Sequence, residues 1–169
     1  DAKYRELKRN LKEYVNNYEQ IFNKNFKKKI EKGEKNDIIE ERDIILGNGA
    51  AEIIDLVISC FTRVMIPIPS FGEYLEDANK WKVHVVNVNC KEDMDYDYEQ
   101  IMNNLYQVDA VILGNPNNPD GKIIDKCKFE KILDYCETNN KKVIVDEAFI
   151  EFTNNASDSF IRYVKKYKC

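Results

Sequence analysis

The period of the apolar residues changes along the chain, and each change marks an element. Leu7, Leu11, Tyr14, Val15, Tyr18, Ile21 and Phe22 recur at i, i+3/i+4 and i+7 spacing within residues 4–22, which predicts an amphipathic helix. A lysine-rich stretch, "NKNFKKKIEKGEK" (23–35), follows, with Gly33 as its stop signal. Beyond it the helical period gives way to short apolar runs: "DIIL" (43–46), "VMIPI" (64–68), "KVHVVNV" (82–88), "DAVILG" (109–114) and "KVIVD" (142–146). Their length and β-branched content predict strands. Helices are predicted over "AAEIIDLVISCF" (50–61), the later part of "PSFGEYLEDANKW" (69–81), "DYEQIMNNLY" (97–106), "KCKFEKILDYCETN" (126–139) and "DSFIRYVKKYKC" (158–169). Strands alternating with helices of this length give an α/β fold with a mainly parallel sheet covered by helices. No repeat or low-complexity linker interrupts the pattern, so residues 1–169 are expected to form a single α/β domain.

Composition narrows the partners. The chain has 43% hydrophobic and 33% charged residues with a net charge of −4, so no nucleic-acid partner is expected. The lysine-rich stretch is interleaved with acids and reads as a solvated face. The longest apolar run, "IIDLVISCF" (53–61), contains Asp55 and is far too short for a bilayer; no membrane partner is expected. The cysteines number 5, an odd count without a C-x-x-C pair, and His84 has no metal-ligand spacing around it. A reduced, cytoplasmic protein without a metal is expected. Because the chain begins at Asp1, it is expected to start inside a longer protein.

In an open α/β sheet ligands bind beyond the carboxyl ends of the strands, and four such ends here are chemically unusual. In "LGNGAAE" (46–52), Gly49, Ala50 and Ala51 let backbone N–H groups approach an anion at a helix start. A glycine turn before a helix also arises for purely local reasons, and Glu52 breaks the G-x-G-x-x-G dinucleotide fingerprint, which disfavours a nucleotide-binding domain. In "PIPSFGEY" (67–74), Phe71 either offers its face to a planar ring or fills the core. In "GNPNNPDG" (114–121), turn chemistry accounts for Pro119, Asp120 and Gly121, but not for Asn115, Asn117 and Asn118 crowding one strand end. Asp146 comes directly after Val143, Ile144 and Val145, where a carboxylate caps the next turn or meets a positive charge.

Together these ends describe a site for a phosphorylated, planar, nitrogen-containing ring, the inventory for pyridoxal phosphate (PLP). An opposite charge about 4 Å from the ring nitrogen contributes roughly 4 kcal/mol at an effective dielectric of about 20, enough to keep a weakly basic nitrogen protonated at neutral pH.

"GNGAAE", "PSFGEY", "NPNNPDG" and "VDEAFIEF", in this order, resemble the fold-type I aminotransferases of class I/II, in the branch that holds histidinol-phosphate aminotransferase and threonine-phosphate decarboxylase. The helix "YRELKRNLKEYV" (4–15) resembles the one preceding their glycine loop, so the resemblance covers nearly the whole chain. It implies a large PLP-binding domain and a PLP-dependent aminotransferase-like enzyme acting on a small amino acid, phosphorylated or not. The alternatives are a decarboxylase-like PLP lyase and a non-catalytic α/β module of a larger fusion protein. By the same resemblance Gly49, Ala50 and Ala51 hold the phosphate and Phe71 stacks on the ring. Asn118 bonds the phenolic oxygen, and Asp146 pairs with the pyridine nitrogen.

Several features depart from the family pattern. Phe149 stands where many relatives have a tyrosine, Asp120 where a threonine is usual, and 16–42 is long enough to suggest an insertion. No Schiff-base lysine motif follows the Asp146 strand before Cys169, and Lys165, Lys166 and Lys168 read as surface. The chain is therefore expected to be a fragment of the large domain, inactive alone, and the resemblance implies a homodimer at full length.

Overall fold

Each apolar run from 64 onward that was expected to be a strand lies in one parallel sheet. β1 (Arg63–Ile68), β2 (His84–Asn89), β3 (Ala110–Gly114) and β4 (Lys142–Asp146) pair in the order β2-β1-β3-β4. All three pairings are parallel, with Val64 opposite Ala110 and Gly114 opposite Asp146. This computed structural model describes residues 2–22, 39–153 and 158–169. Contacts divide the chain into two compact units, residues 1–47 with 151–168, and residues 48–150 with Cys169.

The sheet belongs to the second unit together with α2 (Gly49–Ile58), α3 (Glu73–Trp81), α4 (Tyr98–Asn104) and α5 (Lys126–Thr138). β3 is buried along its whole length and β1 from Val64 to Pro67, as expected of strands flanked on both sides. Ile54 and Ile58 of α2 and Tyr74 and Ala78 of α3 pack with Val64, Ile66, Ala110 and Ile112 into one core. Alternation along the strands sends Met65, Val111 and Leu113, all fully buried, to the opposite face. α4 and α5 bury Ile101, Phe129, Ile132 and Cys136. Both helices begin on an aspartate cap: Asp97 accepts from Gln100 N–H and Asp125 from Lys128 N–H, satisfying otherwise orphan donors.

In the first unit, α1 (Ala2–Phe22) occupies the predicted amphipathic stretch. Asn16 Nδ2 donates to the Ile39 carbonyl (2.8 Å), and Ile39 N–H donates back to Asn16 Oδ1 (3.1 Å). The lysine-rich stretch, and with it most of the expected insertion, lies outside the described residues.

Two expected elements take other forms. Residues 43–46 are not a strand: Glu41–Asp43 is a 3-10 turn and 44–47 has no regular structure. Ile45 is 78% exposed, so this run lacks both the neighbouring ladder and the burial that sustain a strand. In the 158–169 stretch the only α-helix is α6 (Tyr163–Lys166), and Tyr167, already extended, ends it.

Candidate functional site

All four strands run the same way, so the loops after β1, β3 and β4 leave the same edge of the sheet. β2 lies on one side of β1 and β3 on the other, so the order reverses between β1 and β3, where open α/β folds form their binding crevice.

Asp146 is the last residue of β4 and is half-buried. Its Oδ2 accepts a hydrogen bond from Tyr74 Oη at 2.7 Å, and its Oδ1 accepts one from Ala148 N–H at 2.9 Å. Both carboxylate oxygens are thus held, one from the turn that follows and one from a helix 72 residues earlier. Tyr74 is 2% exposed. Burial, then the neighbouring Asp146 charge, pushes its phenol well above the ordinary tyrosine range, so it stays a donor.

Phe71 lies half-buried in the loop between β1 and α3. Its ring meets Tyr74 edge to face, with centroids 5.7 Å apart at 85°, the geometry favoured by ring quadrupoles. Tyr74 therefore links two predicted site residues, Phe71 and Asp146. It was not among the residues expected from sequence. The signal was Phe71-x-x-Tyr74 at a helix start, which looks the same as an ordinary core aromatic one turn on.

The three asparagines after β3 separate by task. Asn115 is buried; its Oδ1 accepts from Ile124 N–H (3.1 Å) and its Nδ2 donates to Glu147 Oε1 (3.1 Å). Asn117, 3% exposed, donates from Nδ2 to the Pro69 carbonyl (3.2 Å) and to Asp120 Oδ2 (2.6 Å). Asp120 Oδ1 also accepts from Lys122 N–H at 2.7 Å, so this carboxylate works within the turn. Asn118 is half-buried, and its amide makes no hydrogen bond among the described residues. Two of the crowded asparagines thus hold the loops, and the Asn118 amide does not. Tyr96 closes the end of β3 from beneath: its hydroxyl accepts from Gly114 N–H (2.9 Å) and donates to Gly114 O (2.8 Å).

Gly49, Ala50 and Ala51 form the exposed first turn of α2, with Gly49 at φ +81° and nothing within 4 Å of where a Cβ would stand. That backbone region favours glycine. The Asn48 N–H donates to the Glu52 carboxylate. α2 is fixed to the core by Ile54 and Ile58, but among the described residues no hydrogen bond or ring contact joins this turn to Phe71, Asn118 or Asp146. Phe149 is 51% exposed.

The fold is thus an open parallel α/β sheet with an anchored carboxylate after β4, an aromatic ring after β1 and, after β3, an amide without a hydrogen bond among the described residues. The family model for aminotransferase class I and II matches residues 1–167, and the chain belongs to that family. Enzymes of this family use pyridoxal phosphate and act on small amino-acid substrates. A Caldanaerobacter subterraneus protein provisionally named threonine-phosphate decarboxylase is 33% identical over 156 residues, covering 90% of this chain and 36% of its own. The histidinol-phosphate aminotransferase of Parabacteroides distasonis is 36% identical over 130 residues, 73% of this chain and 36% of its own. The crystal structure of histidinol-phosphate aminotransferase from Clostridium acetobutylicum superposes with a TM-score of 0.72 at 49% identity, covering 74% of this chain and 37% of that one. The chain thus spans about a third of the length of these relatives.

Proposed function

We propose that this chain is the cofactor-binding part of a PLP-dependent aminotransferase acting on a small, phosphorylated amino compound. The observation that carries this reading is the common sheet edge at which Phe71, Asn118 and Asp146 stand. The names of the relatives, histidinol-phosphate aminotransferase and threonine-phosphate decarboxylase, support a phosphorylated substrate. The residues fit the cofactor in charge and shape. The Asp146 carboxylate, held by Tyr74 and Ala148, presents its remaining lone pairs to a ring N–H. Phe71 packs against one face of the ring, and the spare Asn118 amide donates to the phenolic oxygen. The N–H groups of Gly49, Ala50 and Ala51 have no intrahelical acceptor and take the phosphate. When bound, the cofactor supplies an electron sink through its protonated ring nitrogen; Asp146 keeps the proton at that atom.

The lysines that pair with carboxylates read as surface residues and not as the cofactor's lysine. Lys80 pairs with Asp55, Lys128 with Asp125, Lys165 with Asp43, and Lys122 with Asp93 at 4.0 Å. Because no Schiff-base lysine motif of the family follows the Asp146 strand within residues 147–169, residues 1–169 alone are expected neither to transaminate nor to decarboxylate. The same reading makes the chain part of one large domain of a cytoplasmic homodimer, with no nucleic-acid or membrane partner. Five free cysteines fit a reducing compartment, and no helix among the described residues is long and apolar enough to cross a membrane.

A second reading, decarboxylation, is favoured by the relative that covers 90% of the chain. The test gives the intact protein histidinol phosphate or O-phosphothreonine with an oxo-acid acceptor. Amino transfer without carbon dioxide supports the first reading. Carbon dioxide release without transfer selects the second. A protein that binds no PLP ends both.

A further inference from the structure

We infer that Tyr74 is a positioning residue of this site, whose ring braces the edge of Phe71 while its hydroxyl anchors one oxygen of Asp146. The inference rests on the PLP reading and adds to it a residue through which the stacking face and the carboxylate are held to each other.

The geometry separates this role from ordinary packing. Tyr74 sits among Ile54, Ile58, Val64, Ile66 and Ala78, where a phenylalanine would fill the same space. A buried hydroxyl adds nothing to such a core unless it finds an acceptor. The acceptor it finds is the functional carboxylate at 2.7 Å. The ring is buried among close-packed neighbours, so the hydroxyl holds Asp146 Oδ2 from the core while Ala148 N–H holds Oδ1 at 2.9 Å. The carboxylate plane is then set from two sides. The same ring meets Phe71 at 85°, so tilting Tyr74 moves both groups that flank the cofactor. The phenol, raised by burial and by the Asp146 charge, remains protonated through the working pH range and takes no proton itself. Tyr74 acts on Asp146 and does not touch the reacting atoms.

The test is a double-mutant cycle in the intact protein with Tyr74→Phe, Asp146→Asn and the double variant. It reads the PLP dissociation constant, the pH dependence of the bound cofactor's absorption, and kcat and KM. Tyr74→Phe keeps the ring and the fold. It is expected to weaken PLP binding by about 3- to 10-fold, the loss of one charge-assisted hydrogen bond partly replaced by water. It should also shift the cofactor's absorption titration and lower kcat with KM little changed. In the Asp146→Asn background the same substitution should add less than about 2-fold, because its effect passes through Asp146. Additive losses, or a Tyr74→Phe protein with wild-type PLP affinity and titration, would overturn the role of Tyr74 and leave the PLP reading standing. Failure of the wild-type protein to bind PLP removes both. Tyr74→Leu separates the two arms: it should lose further PLP affinity through Phe71, and equality with Tyr74→Phe overturns the brace.

Discussion

Asn117 Nδ2 donates to the Pro69 carbonyl at 3.2 Å, tying the loop after β3 to the loop after β1 across the crevice. The same amide reaches Asp120 Oδ2 at 2.6 Å, while its own Oδ1 is buried with no partner among the described residues. Asn117→Ala removes both donated bonds and leaves the Pro69 carbonyl short of one. The expected loss is about 1–3 kcal/mol, seen as a lower urea midpoint with unchanged m. A midpoint equal to that of the wild type would mean the two loops are held by other contacts.

Gly114 closes β3 where the chain turns back on itself. A Cβ there would stand 3.1 Å from Asn117 Cα, 3.2 Å from Asn117 Oδ1 and 3.3 Å from the Pro116 carbonyl. Two of these three neighbours are backbone, so the turn itself must shift. Gly114→Ala should destabilise by about 1–3 kcal/mol and displace Asn117 and Asn118 from the edge. Thermal unfolding and the PLP affinity of the intact protein should fall together. A stable variant with normal affinity would show that the turn has slack.

How much of this was legible in the sequence depends on how local its cause is. β3 and β4 were readable because each is a short continuous apolar run bounded by turn residues. β1 keeps its place despite Pro67, buried within it. The 43–46 run carries similar residues yet has no partner strand, and pairing cannot be read from one segment. "KVHVVNV" starts late: Lys82 is a left-handed helix cap at φ 57°, and the strand begins at His84. At the strand ends Asp146 stood out from the residues alone, Phe71 had an equal use in the core, and Asn118 was singled out only by the family resemblance. Tyr74 did not stand out, because its meaning lies in a contact 72 residues away. The crowding of asparagines was visible, but only the fold divides Asn115 and Asn117, which hold loops, from Asn118, which is left over.

At the start of β1, Arg63 Nη2 donates to Asp109 Oδ1 (3.0 Å) and Arg63 N–H to Oδ2 (2.9 Å). The Arg63 side-chain hydrogen bond, helped by the backbone bond and opposed by burial, holds the Asp109 carboxyl below the usual range. A depressed folded-state value means the stabilisation is complete above the unfolded carboxylate pKa of about 3.9 and is lost as pH falls through the lower folded value. The pair is 50% and 35% exposed, and solvent screening limits its worth to about 1 kcal/mol or less. Asp109→Asn should lower the urea midpoint at neutral pH, and the gap to wild type should close as pH falls below the ordinary carboxylate range. A gap that persists or widens in acid would reverse the sign of this coupling.

Asp146→Asn asks whether the anchored carboxylate serves chemistry or only the turn. Ala148 N–H is the donor that a capping role expects, but Tyr74 Oη was not visible to that reading and changes the expectation for stability. An amide has one acceptor oxygen, so one of these donors must face an NH2 group. A loss of about 1 kcal/mol in folding stability follows whatever the residue's function. The kinetic outcome separates the readings. If Asp146 keeps the ring nitrogen protonated, the amide removes the charge that matters most when negative charge develops in the transition state. Losing several kcal/mol there lowers kcat by about 100-fold or more, at about 1.4 kcal/mol per decade, with KM much less affected. A turn-capping role predicts the small stability loss alone. The measurement is steady-state kinetics of the intact variant beside its urea midpoint and cofactor spectrum. Near-normal kcat with a normal spectrum would return Asp146 to the turn.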